Sequence, residues 1–163
     1  MLKKYLSYIF RGMFAGIMIG IGGVVFLSLN NKILGATFFS IGLLVICMFD
    51  MYLYTGKIGY VISNKLSYVI LLIFTLIGNF IGTYLVAFAT LNSRINNISE
   101  KARVLSDIKL NDSVISILIL SIFCGILMYI AVNSYKTSKD VLAGIYLYLC
   151  VLLYLFYVVL STV

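Results

Sequence analysis

The chain contains no proline, no histidine and no tryptophan, and only five acidic residues among 163. Each shortage removes an explanation. Without proline, a helix break must come from glycine, polar side chains or packing. Without histidine, the side chain that most often serves as general base and metal ligand is missing. The three cysteines, Cys47, Cys124 and Cys150, each lie inside an apolar run. Their spacing fits neither a zinc site nor a disulfide framework, so they read as small buried hydrophobes. No carboxylates are paired at catalytic spacing. Together these absences argue against an enzyme, a bound metal or a cofactor. Charged residues make up 10% of the chain, against about 25% in an average soluble domain. That is too few to cover a surface in water.

What is present is hydrophobic: 63% of residues, with a mean hydropathy of +1.15. The expected class is an all-α, polytopic membrane helix bundle forming one transmembrane domain over residues 1–163. A helix needs about 20 apolar residues to cross a bilayer. Five segments approach that length: 12–31, 33–56 (interrupted near 50–56), 66–93, 113–135 and 141–163. No small-residue cleavage site follows the first run, so it reads as a span and not a removed signal. The largest polar connection is 94–112. Lys+Arg number 12, giving a net charge of +7. These charges sit between spans, where they set topology and attract anionic lipid; nucleic acid is not an expected partner. With the N-terminus in the cytoplasm, seven basic residues fall inside and five outside. The expected location is the bacterial cytoplasmic membrane.

Glycine marks close helix packing. Gly12, Gly16 and Gly20 form two overlapping GxxxG steps, and Gly78 and Gly82 form another; residues four apart share a face and let backbones approach. The most informative segment is Phe49-Asp50-Met51-Tyr52-Leu53-Tyr54-Thr55-Gly56-Lys57, a polar break after seventeen uncharged residues. Irregular backbone at membrane depth must be buried in protein or line a cavity. Asp50 is an intramembrane acid and therefore a functional-site candidate. Direct pairing of Asp50 with Lys57 requires a bend, because seven residues is about two turns.

Four stretches together resemble the formate/nitrite transporter family. They are Phe39-Ser40-Ile41-Gly42-Leu43, Tyr52-Leu53-Tyr54-Thr55-Gly56, Gly78-Asn79-Phe80-Ile81-Gly82, and the run from Phe123 to Val132. Their order and spacing carry the resemblance, which covers the family's first four and a half spans. It implies an aquaporin-like pentamer in which each subunit holds a pore for small monovalent anions such as formate, nitrite or hydrosulfide, with proton coupling as a family possibility. It places Phe39, Leu43 and Tyr154 at a hydrophobic constriction. Tyr52, Leu53, Tyr54, Thr55 and Gly56 form the pore loop, with the Thr55 hydroxyl facing the path. Lys109 draws anions to the outer mouth, and Lys57 does so inside.

The departures are specific. Tyr52 stands where the family usually has an acid, and Asp50 where it has glycine. Gly125 replaces a frequent asparagine. The family's proton-relay histidine falls by spacing at Ser161, and the chain ends two residues later, before a sixth span. A second reading follows: a truncated, non-conducting membrane protein that assembles with other subunits. The simpler reading of Lys57 and Lys109 is as residues reaching to the interface, and of Phe39 and Leu43 as packing residues.

Overall fold

The computed structural model describes residues 2–95 and 98–138, with 142, 145, 146 and 149 beyond them. Tyr154 and Ser161 lie outside the described residues. Among the described residues six helices follow in order: α1 Leu2–Ser28, α2 Lys32–Met48, α3 Tyr54–Ile58, α4 Ser67–Leu91, α5 Ile98–Leu110 and α6 Val114–Thr137. Among the described residues, α4, α6 and the Lys3–Ser28 stretch of α1 are long and apolar enough to cross a membrane.

Helix α1 starts about ten residues before the expected span. With 27 residues at about 1.5 Å each it is roughly 40 Å long, enough for the apolar core and one headgroup layer. Helix α2 has 17 residues, or roughly 26 Å, and stops short of the far side of the core. Its start is fixed by Asn31, whose Oδ1 accepts from the Ile33 and Leu34 amides at 3.0 and 3.2 Å; this pairs two of the N–H groups that a helix N-terminus leaves open. The buried Ser40 hydroxyl donates to the Ala36 carbonyl at 2.7 Å, so it needs no partner outside its own helix.

The α1–α4 contact is set by the glycines. A Cβ at Gly12 would lie 2.7 Å from the Thr75 carbonyl oxygen. Cβ atoms at Gly16, Gly78 and Gly82 would overlap the backbone oxygens of Asn79, Ile9 and Met13 respectively. The two backbones therefore touch, as the GxxxG spacing predicts.

On the other side of the molecule, Ala15, Leu43, Ile46, Leu53, Met128, Ala131 and Val132 form one buried cluster. It joins α1, α2, the segment before α3, and α6. Gly56, buried in α3, meets α6: an added Cβ would sit 3.2 Å from Val132 Cγ2. Outside this cluster, large apolar side chains such as Phe80, Phe88, Leu118 and Phe123 are exposed. An apolar outer surface is what lipid or neighbouring subunits cover. The connection at 94–112 is mostly the amphipathic α5, fastened to the end of α1 by Lys101, whose ammonium donates to Leu27 O at 3.2 Å and Asn30 Oδ1 at 3.1 Å.

Candidate functional site: the break between α2 and α3

The break is an ordered turn with identifiable hydrogen bonds. Helix α2 ends in a Schellman motif. The Asp50 amide donates to Cys47 O at 3.3 Å, and the Met51 amide to Ile46 O at 2.9 Å. Such a turn needs a left-handed residue, usually glycine, and Asp50 takes that place with φ 45°. A non-glycine residue there costs about 1–2 kcal/mol, less for a short polar side chain. Asp50 thus occupies, with a side chain, a position whose backbone geometry is the one glycine adopts freely. It explains why a helix without proline stops here.

Beyond the turn the chain runs extended, and the backbone groups freed there are paired from outside. The Tyr52 amide donates to Arg11 O of α1 at 3.2 Å. Leu53, the residue before α3, has no capping side chain. Asn79 of α4 supplies the cap: its Oδ1 accepts from the Tyr54 amide at 2.9 Å. The same amide group donates through Nδ2 to Tyr52 O at 2.8 Å and to Gly12 O at 2.7 Å. One half-buried side chain therefore satisfies both sides of the break and ties them to α1. This meets the requirement that irregular backbone in a membrane be paired within the protein.

The charged groups are arranged around Tyr52. Asp50 pairs with Arg11, with Nη1 to Oδ2 at 2.9 Å, and not with Lys57. The Arg11 guanidinium lies 5.1 Å from the Tyr52 ring centre, and Lys57 Nζ lies 3.9 Å from it. The Tyr52 ring therefore has two cations within reach of its negative face.

A narrow cavity of about 30 Å³ opens beside the turn, room for roughly one or two water-sized groups. Its wall is apolar, with Leu43, Leu53, Met128 and Val132; its rim carries Asp50, Lys57 and Lys136. Lys136 Nζ lies 5.4 Å from the centre of the Tyr60 ring. Tyr60 is fixed by an edge contact with Tyr129 at 5.1 Å and a 3.4 Å hydrogen bond from its hydroxyl to Asn133 Oδ1. Partial burial, with Tyr129 next to it, pushes the Tyr60 phenol up, so it remains a neutral donor.

The structure brings together Leu43, Asp50, Leu53, Gly56 and Lys57 at this cavity. Phe39 packs against the same buried cluster and rests its ring on Gly22 of α1. Tyr54 is half-buried and contributes the backbone amide that Asn79 caps. Thr55 is exposed and lies outside the cavity wall in the single chain. Lys109 is exposed in the last turn of α5. That helix is fastened through Lys101 at Leu27, 16 residues along α1 from Arg11 and so a helical rise of roughly 24 Å from the break, while Lys109 itself is an electrostatic neighbour of Cys124 in α6.

Three residues at the site were not singled out from sequence: Arg11, Asn79 and Lys136. Asn79 had a signal, being the one amide in the interior of the apolar span 66–93, next to a close-packing glycine. Arg11 and Lys136 had only charge at span ends, which every topology requires.

The family model for formate/nitrite transporter matches residues 2–162. The chain belongs to the formate/nitrite transporter family. Comparison with curated proteins and comparison with solved structures each found no match. Membership and the apolar helices make it an integral membrane protein and a transporter of small anions.

Proposed function

We propose that the chain is a channel-type pathway for small monovalent anions and weak acids of the formate, nitrite or hydrosulfide class. It works as a homo-oligomer, a pentamer by family resemblance, in the bacterial cytoplasmic membrane with its N-terminus in the cytoplasm. The break then faces inward, with Lys57 at its mouth. The observation that carries the reading is the ordered break itself: a helix stopped at Asp50 and restarted at Tyr54, beside a cavity that is apolar inside and charged at its rim.

The chemistry supports this class of solute. An anion in hydrocarbon carries a large solvation penalty. Basic residues at a mouth raise its local concentration. An apolar passage such as Leu43 and Leu53, with Phe39 one turn further on, admits a small weak acid most readily as its neutral form. Proton coupling follows if the solute gains a proton before that passage and loses it after. In the family's arrangement Tyr154 completes the constriction, Lys109 attracts anions at the outer mouth, and the Thr55 hydroxyl replaces a lost water.

Reconstituted protein in liposomes tests the reading. The expected result is formate-, nitrite- or hydrosulfide-dependent swelling or current, reduced by Thr55→Val and by Lys109→Ala. Absence of flux from a stable oligomer would refute it.

A further inference from the structure

We propose that a second cavity, between α1 and α4 and roofed by α5, binds one acyl chain of an anionic phospholipid, whose headgroup phosphate is held at the mouth by Arg94 and Lys101. The site lies away from the break and does not rest on the transport reading.

The cavity forms where the glycine seam runs out. A Cβ at Gly20 would lie 2.7 Å from Val86 Cβ, so α1 and α4 still touch there. Three residues on, at Gly23, nothing lies within 4 Å of the added atom. The space is about 370 Å³, with walls reaching from Gly20 to Leu27 on α1 and from Thr83 to Leu91 on α4. At about 1.5 Å per residue that is roughly 10–12 Å of helix axis, most of the roughly 15 Å depth of one leaflet's hydrocarbon. Ile98 and Ala102 of α5 close it over.

The wall favours an apolar guest. The Thr83 and Thr90 hydroxyls that line it donate to the Asn79 and Val86 carbonyls of their own helix, at 3.0 and 2.7 Å, and so hold no proton for a ligand. A buried water makes about three hydrogen bonds. A space of this size with its hydroxyl protons already spent suits hydrocarbon better than a water cluster, and in a bilayer the hydrocarbon at hand is an acyl chain.

The mouth selects the lipid. Arg94 directly precedes Ile95 of the cavity wall, and among the described residues it has no ion pair. Lys101 is next to Ala102 of the roof, and its ammonium donates to Leu27 O and Asn30 Oδ1 at 3.2 and 3.1 Å. Leu27 is itself in the wall, so these bonds hold the ammonium at the cavity's end. An ammonium has three donors, which leaves one for a phosphate. Arg103 leans on Asp107 at 3.9 Å, and Glu100 is exposed to solvent, so Arg94 and Lys101 leave the mouth net positive. An amphipathic helix such as α5 lies at the boundary of headgroups and acyl chains. Two cations there, above an apolar slot, complement an anionic head on an apolar tail.

The chain has no tryptophan, so a single introduced one reports alone. Leu91→Trp puts it on the cavity wall, and Phe123→Trp on the exposed face of α6. Each full-length variant is reconstituted in phosphatidylcholine with a small fraction of lipid brominated on its acyl chains, which quenches tryptophan on contact. Brominated phosphatidylglycerol should quench Leu91→Trp several-fold more than Phe123→Trp. Brominated phosphatidylcholine at the same fraction should quench the two alike. Adding Arg94→Gln and Lys101→Gln to Leu91→Trp should abolish the excess. Adding Gly23→Leu instead should do the same, because its side chain enters the cavity. Equal quenching of the two tryptophans by brominated phosphatidylglycerol overturns the site. So does an absence of quenching at Leu91→Trp by either lipid, the result expected if another part of this chain or a second copy fills the cavity. An excess that survives the paired glutamine substitutions overturns the headgroup contact.

Discussion

The two faces of α4 near Asn79 solve opposite problems. Toward α1, Gly78 and Gly82 remove side chains so that two regular backbones meet. Toward the break, Asn79 supplies a side chain so that irregular backbone can exist at all. The first contact tolerates no added atom. The second tolerates no missing polar group. A close helix seam is thus the rigid wall from which a broken helix is hung, and Asn79 bonds to both, reaching Gly12 O on one side and Tyr52 O on the other.

The strongest way to break this pairing is Asn79→Leu. It leaves the Tyr54 amide and the Tyr52 carbonyl without their partner, while the Gly12 carbonyl keeps its bond within α1. Each unsatisfied buried group costs about 1–3 kcal/mol, so even the low end sums to roughly 2 kcal/mol. The thermal unfolding midpoint of the purified protein should fall markedly, and liposome flux should fall with it. A midpoint within the error of the parent chain would mean that water, and not Asn79, serves the break.

Gly82→Ala attacks the seam instead. Its Cβ overlaps the Met13 carbonyl, and overpacking of this kind costs about 1–3 kcal/mol. Gly23→Ala is the matched control, because nothing lies within 4 Å of the atom it adds. The first should lower the yield of folded protein and its unfolding midpoint, and the second should leave both unchanged. Equal behaviour of the two would show that the seam gives way without loss.

The sequence displayed the seam better than the break. Glycines at a four-residue interval specify one face of one helix, and both partners of the contact carry the pattern. The polar run at 49–57 likewise marked where α2 fails, but not how. The turn occupies 49–53, and helix resumes at Tyr54, inside the stretch expected to be loop. Gly56, the residue best suited to breaking a helix, is buried within α3 against Val132. The break depends on Asp50 in a left-handed conformation and on an amide 25 positions away from Tyr54. Neither is a local preference of residues 49–57. Asp50 paired with Arg11 and not Lys57 for the same reason: α1 lies beside the turn, an arrangement set by the glycine seam.

The smallest expected effect separates the two roles of Asp50. Its carboxylate pairs with Arg11, but the two side chains are 65% and 48% exposed, so the ion pair is worth about 0–1 kcal/mol. Its left-handed backbone costs about 1–2 kcal/mol relative to glycine. Asp50→Gly exchanges one for the other, and the unfolding midpoint should stay close to that of the parent chain. Asp50→Ala loses the pair and keeps the strain, so it should be the less stable of the two variants. Transport should respond differently. Both substitutions release the Arg11 guanidinium beside Tyr52 and Lys57, making the rim more positive. Anion flux at low ionic strength should therefore rise in both, and the gain should fade at about 1 M salt, where the Debye length is about 3 Å. A gain that persists in high salt would place the effect of Asp50 in the shape of the turn, not in its charge.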